Sequence, residues 1–236
     1  NKVEFGLQTT YFYFKPGTAD GFITTGDEKT TFDFQVRPIP AIESGIFISN
    51  EQKIGTRLTL AYGLRYSGFA QLGAGHVYKY PNGEPIDPDN PSANVNPIDT
   101  IQFDEWEIIK PFQGLEPRFS ANFQIDEVSS VKGSYNHMIQ YIHLISNTTA
   151  ATPVDIYMPA GRYIKPGQVD QVGLGYFRNF YSNKYESSVE VYYKYFQDLV
   201  DYKDEAELLL NNTLETELYT GDGQAYGLEF QLKKKR

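Results

Sequence analysis

Two-residue alternation, sustained past ten residues and repeated along the chain, constrains this sequence more than any other feature. Successive side chains of a β-strand point to opposite faces, so alternation marks a strand with chemically different surroundings on its two sides. Residues 57–66 show it most plainly, with Leu58, Leu60, Tyr62, Leu64 and Tyr66 set between Arg57, Thr59, Ala61, Gly63 and Arg65. Near the start, Val3, Phe5, Leu7, Thr9, Tyr11 and Tyr13 alternate with Glu4, Gly6, Gln8 and Thr10. Residues 115–125 place Leu115, Pro117, Phe119, Ala121, Phe123 and Ile125 against Glu116, Arg118, Ser120, Asn122 and Gln124. Residues 185–195 place Tyr185, Ser187, Val189, Val191, Tyr193 and Tyr195 against Glu186, Ser188, Glu190, Tyr192 and Lys194. Near the end, Tyr226, Leu228, Phe230 and Leu232 alternate with Ala225, Gly227, Glu229 and Gln231. Weaker runs at 41–52, 129–142 and 168–180 bring the expected number of strands to about eight.

Most of these runs reach the roughly 9–11 residues that a tilted strand needs to cross a bilayer. Their connections alternate in length. Short polar turns at 50–55, 125–129 and 180–184 are interleaved with long, Pro- and acid-bearing segments at about 15–40, 70–113, 146–167 and 200–222. Short turns at one rim and long loops at the other is the periplasmic and extracellular asymmetry of an outer-membrane barrel. The aromatic content points the same way: Tyr 19 and Phe 16 against a single Trp, with amphipathic Tyr rings suited to a bilayer interface. No run of 18 apolar residues exists, so no transmembrane helix is expected, and a closed β-barrel is the other structure that satisfies its backbone in lipid.

Composition removes several function classes. Without Cys the chain has neither disulfides nor thiolate metal sites, and a formal charge of −9 argues against nucleic acid as a partner. No phosphate loop, dinucleotide fingerprint or nucleophile elbow occurs, so no enzyme activity, cofactor or metal is expected. His137 and His143, six apart on one expected strand, would stand roughly 20 Å apart. The loop acids Asp87, Asp89, Asp99, Asp104 and Glu105 lack the spacing of a calcium loop. Within 204–218 a short helix is expected.

Two groups of residues are candidates for a site. Glu116, Arg118, Lys132, Glu190 and Glu229 fall on the polar register and form an expected lumen-facing wall. That wall reads either as cross-strand ion pairing or as part of a substrate path. In the long loops, Tyr78, Tyr80, Trp106, Tyr157, Met158 and Tyr163 combine aromatic area with neighbouring Asn and Asp, and are the expected ligand-binding residues.

The phrasing of the strands carries a resemblance as well as a period. Residues 40–67 (PAIESGIFISNEQKIGTRLTLAYGLRYS), 115–123 (LEPRFSANF), 141–180 and 185–230 resemble the barrel of TonB-dependent outer-membrane receptors, most of all the Bacteroidetes type. The resemblance implies a barrel of about 22 strands around an amino-terminal plug, importing a scarce nutrient when the TonB complex pulls on the plug. The chain departs from that pattern in lacking a plug, a TonB-contacting box and an aromatic-terminated last strand; it opens at Asn1 inside a strand and stops at Arg236. These departures read as a cut chain.

The expectation is therefore an all-β fold, an antiparallel transmembrane β-barrel segment of about eight strands in up-and-down hairpins. Residues 1–236 would form one partial barrel domain, an open part of a larger barrel. Implied partners are outer-membrane lipid, the plug of the same parent chain, the TonB complex, a small nutrient ligand (siderophore, glycan, peptide or similar) and a surface lipoprotein. Two rivals stand beside this reading: a complete small outer-membrane barrel acting as anchor or adhesin, and a soluble β-sandwich binding module.

Overall fold

Alternating runs that cannot bury their apolar side alone pair edge to edge, and here they build one continuous sheet. The computed structural model describes the chain apart from residues 16, 26–27, 36, 92, 94, 146–155, 205, 208–210 and 236. Of strand residues 19, 23–25, 28–30, 32–35 and 156 only the backbone is described. In chain order the strands are β1 (Lys2–Phe14), β2 (Thr18–Thr25), β3 (Glu28–Gln35), β4 (Ile39–Ile54), β5 (Leu58–Leu72), β6 (Gly75–Lys79) and β7 (Asp99–Phe103). Then come β8 (Ile108–Gln124), β9 (Ser129–Gln140), β10 (Ile142–Ile145), β11 (Ile156–Pro159), β12 (Gly167–Phe180), β13 (Tyr185–Tyr202) and β14 (Leu218–Lys234).

Eight of them form the sheet, ordered β1-β4-β5-β8-β9-β12-β13-β14, with every neighbouring pair antiparallel. These are the eight runs expected from alternation, in chain order, so the topology is up-and-down. Among the described residues β1 pairs only with β4 and β14 only with β13, so the sheet is open and no ladder joins its two edges. A closed eight-stranded barrel and a two-sheet sandwich both differ from this arrangement. Three short hairpins (β2–β3, β6–β7 and β10–β11) ornament the long loops. The pairs β2–β3 and β6–β7, and β11, lie in segments where the sequence pattern predicts only loop. In the segment 204–218, where a short helix is expected, residues 205 and 208–210 lie outside the described residues, and a 3-10 turn at Leu214–Thr216 stands among the described ones.

The register keeps each face uniform across the sheet. Phe5 lies opposite Ile48, Ile48 opposite Leu64 and Leu64 opposite Pro117, while Val172, Tyr193 and Tyr226 form another such row. On this apolar face large side chains lie open: Phe5 is 79% exposed, Leu228 59% and Val191 48%. Water-soluble monomers rarely expose contiguous apolar patches larger than a few hundred Å². Here the apolar surface runs the width of eight strands.

The chain's conventional core sits elsewhere, at the end of the sheet that carries the long loops. One cluster joins Ala41, Phe69, Tyr141 and Ala160, with Phe12, Phe14 and Phe112 packed on it. The other joins Ile145, Ile164, Leu214 and Leu218, flanked by Met158 and Val200. Ala41, Phe69 and Phe112 share a face with Glu43, Arg65 and Glu116, since strand periodicity is two. Tyr141 and Ala160 therefore pack on the polar face: Tyr141 stacks on Phe69 at 5.2 Å and its hydroxyl meets that of Ser67 at 2.8 Å.

Candidate functional site

The polar face is a wall with two charged patches. In the first, β5 supplies Arg65, whose guanidinium donates to Glu43 Oε1 at 2.9 Å and stands 3.5 Å from Glu116. Arg118 approaches the same Glu116 carboxylate at 3.7 Å. Glu116 is buried, and a buried carboxylate between two guanidiniums is the arrangement that offsets its lost hydration. The register makes room for it: a Cβ at Gly45 would fall within 2.9 Å of the Arg65 guanidinium, so only glycine lets the arginine lie flat across β4. Gly6 does the same for the ring of Phe47.

The second patch is one cross-strand row. Lys132 lies opposite Gly175, Gly175 opposite Glu190, and Glu190 opposite Glu229. Two like charges directly opposed are unfavourable in a sheet. Lys132 and Lys194 border the same hollow, and the Ser188 hydroxyl donates to Glu190 at 3.3 Å. All five residues expected in the wall thus stand on the polar face. The structure adds Glu43 and Arg65, which local alternation places on that face without saying that they converge on Glu116.

At the long-loop end three loops are cross-braced. The Tyr80 hydroxyl donates to Glu215 at 2.8 Å and that of Tyr163 to the Tyr78 carbonyl at 2.6 Å. Tyr219 and Lys203 from the last loop donate to the carbonyls of Pro91 and Ala93, both at 3.2 Å. Between the braces lies a cavity of about 140 Å³, lined in part by Arg37, His76, Tyr78, Met158, Arg162 and Tyr163. Three of the six expected ligand-binding residues, Tyr78, Met158 and Tyr163, meet here. Tyr80 is buried with its ring edge-on to Tyr163 at 5.3 Å, and its hydroxyl is committed to Glu215. Trp106 and Tyr157 do not line the cavity; both are exposed, and the Trp106 ring rests 5.8 Å from Tyr11.

The cavity's ionisable groups are tuned by burial. Burial raises the Glu215 carboxyl above its ordinary 4.5, although a backbone amide and the Tyr80 hydroxyl pull it back. Burial also pushes the Tyr80 hydroxyl far up, with Glu215 adding to the effect. His76 is held below 6.5, first by burial and then by the nearby charge of Arg37. Arg37, Arg162 and His76 carry no local sequence signal, because each is ordinary in its own segment and only the loop packing gathers them.

The two histidines of β9–β10 serve separately. His137 Nδ1 pairs with Asp170 at 3.0 Å, and His143 Nε2 meets the Lys165 carbonyl at 2.9 Å. Among the described residues no three His, Asp or Glu side chains gather as a metal site.

Long antiparallel strands, one unpacked apolar face, one polar face and loops gathered at a single rim define a class: the wall of an outer-membrane-type β-barrel. No protein-family model matches the chain, and no curated protein matches it in sequence. Solved structures do. The hemophore receptor HasR of Serratia marcescens, as a double mutant in complex with its hemophore HasA and heme, superposes with a TM-score of 0.51 at 12% identity. That match covers 98% of this chain and 38% of HasR. The alcaligin outer-membrane receptor FauA of Bordetella pertussis (9% identity, TM-score 0.47) matches over 98% of this chain and 36% of its own. The FrpB iron transporter of Neisseria meningitidis (13% identity, TM-score 0.48) matches over 86% of this chain and 25% of its own. The chain thus spans between a quarter and two-fifths of the length of these neighbours. The likeness to HasR establishes a shared fold.

Proposed function

We propose that the chain is one partial barrel domain of a TonB-dependent outer-membrane receptor, standing in the bacterial outer membrane and importing a scarce nutrient into the periplasm. The observation that carries this reading is the unpacked apolar face of eight long strands. Fifteen residues at about 3.3 Å each give a strand of about 50 Å, and a tilt near 45° leaves about 35 Å along the membrane normal. That suffices for the hydrocarbon core with the Tyr-bearing strand ends at its borders. The polar face, with its small residues and paired charges, then lines the interior, where a plug would sit and a nutrient would pass. The chain's role is structural and selective, not catalytic. The open edges at β1 and β14 would pair with further strands of the barrel, which is also what the partial coverage of the receptors favours.

Within this frame the long loops are extracellular and the turns periplasmic. Tyr78, Tyr80, Tyr157, Met158, Tyr163 and Trp106 belong to the loops that an arriving ligand, or a surface lipoprotein partner, meets first. The chain has no Cys, so each introduced cysteine is unique within it. Cysteines at Asn90 and Asn211 should react on intact cells with a membrane-impermeant maleimide, whereas those at Lys53, Glu127 and Asn183 should react only after the outer membrane is opened. Reaction at the turns and not at the loops would overturn the orientation. A chain found wholly in the soluble fraction would overturn the barrel reading.

A further inference from the structure

Resting on that reading, we infer that the cavity between the three long loops is an entry site for the anionic group of a small solute, a carboxylate or phosphate held by Arg37 and Arg162 with Tyr78 and Tyr163 as its walls. The cavity's charge is the first ground. The whole chain carries −9, yet two guanidiniums open onto this one hollow and the acid beside them is Glu215. The Glu215 carboxyl is engaged by the Tyr80 hydroxyl at 2.8 Å, and its burial disfavours the ionised form. Both arginines are exposed, and among the described residues neither takes part in an ion pair. Burial first, and then the nearby charge of Arg37, oppose protonation of the His76 ring that lines the same cavity.

Shape is the second ground. The Arg162 guanidinium lies 5.8 Å from the Tyr163 ring centre, and His76 stands edge-on to Tyr78 at 4.8 Å. A guanidinium held against an aromatic ring is pre-oriented, so it loses little freedom when it meets a planar anion. Rigidity is the third. The Tyr163 hydroxyl is tied to the Tyr78 carbonyl and the Tyr80 ring backs Tyr163, so the walls exist before a ligand arrives. At about 140 Å³ the hollow accepts an anionic group of a larger solute or a small acid, and not a whole drug-sized molecule. A guanidinium fork favours carboxylate and phosphate over neutral sugar hydroxyls.

The test uses the whole receptor that contains this chain, reconstituted in lipid vesicles, with calorimetric titration of citrate, inorganic phosphate and glucose in parallel. Citrate or phosphate should bind and glucose should not. Arg37→Gln and Arg162→Gln should each weaken anion binding by roughly ten- to a hundred-fold, the loss expected for a charge-assisted hydrogen bond. Arg57→Gln, which removes the same charge at a turn on the opposite rim, should leave it unchanged. Binding of neither anion, or equal weakening by Arg57→Gln, overturns the site. The same preparation separates this from the barrel reading. Membrane insertion of that receptor without anion binding sinks only the entry site, whereas a receptor recovered only as a soluble protein sinks the barrel reading and the entry site with it.

Discussion

The wall and the loop end of this chain are stabilised by opposite means. Over most of its length the sheet has no core: Leu7, Ile46, Leu174 and Phe230 lie open on the apolar face, and the polar face is held by ladders and ion pairs. At the long-loop end the same strands carry an ordinary buried core of Phe69, Tyr141, Ile164 and Leu214. Where lipid is the solvent on one side, burial against protein is unnecessary there and the backbone ladder becomes the obligatory term. Where the strands rise above the bilayer, water is the solvent on both sides, and the chain must bury apolar surface against itself. The inversion is visible within single strands. On β5 the polar-face register runs Ala61, Gly63, Arg65 and then Ser67, Phe69, both buried.

Breaking the loop core should have the largest effect and should stay local. Tyr141→Ala removes the stack on Phe69 and the partner of the buried Ser67, at a cost of about 3–5 kcal/mol. Faster protease nicking within 141–165 with unchanged vesicle insertion is the expected outcome; lost insertion would show that wall and loop core form one cooperative unit. Next in size is a charge on the apolar face. Val191→Arg should cost roughly 2–4 kcal/mol of folding free energy in lipid vesicles if near the bilayer midplane. Ser120→Arg on the polar face should cost clearly less. Equal losses would mean that the two faces see the same medium.

A smaller gain is expected at the turn joining β12 and β13. Tyr181, Ser182 and Asn183 all have left-handed φ, at 51°, 55° and 65°. Ser182→Gly relieves one such residue and should stabilise the chain by about 0.5–1 kcal/mol in urea unfolding, since the left-handed cost to serine exceeds the entropy that glycine adds.

The finest distinction is pH. Burial holds His143 below 6.5, so the unfolded loop takes up a proton that the folded one refuses. Loop stability is full above 6.5 and falls as pH drops below it, with His76 adding in the same sense. Glu215 has the opposite sign: its raised carboxyl keeps a proton in the folded state, so stability is full below 4.5 and falls as pH rises through the folded value. Protease resistance of the loop end, followed from pH 4 to 8 (on the order of the window these ordinary values span), should show a weaker acid limb in His143→Gln, with the His76 share remaining. It should lose its alkaline limb in Glu215→Gln.

This contrast also explains what could be read from the sequence. The eight wall strands were legible because lipid on one side and polar surroundings on the other impose a strict period of two. Their upper ends were not. The run at 57–66 continues as strand to Leu72, and that at 185–195 to Tyr202, because above the bilayer the polar-face positions become apolar and the alternation loses its sense. The β6–β7 hairpin was invisible for a different reason: its five-residue strands are separated by nineteen intervening residues, with no tight turn to announce them. In the candidate sites, the placement of the five wall charges on one face follows from parity alone. The cavity depends on Arg37, His76 and Arg162 being gathered by loop packing, for which no local pattern exists.

The central claim is that the two faces of the sheet meet different media, and β13 tests it most directly. Single cysteines at Val189, Val191 and Tyr193, alternating with cysteines at Glu190, Tyr192 and Lys194, should be scanned in vesicles with a water-soluble maleimide. A lipid-dissolved quencher should follow, acting on a fluorophore at each site. The account predicts strict alternation, with the first set quenched from lipid and slow to label, and the second set labelled from water and unquenched. Uniform labelling along the strand, or quenching of Glu190 and Lys194 in place of Val189 and Val191, would contradict it.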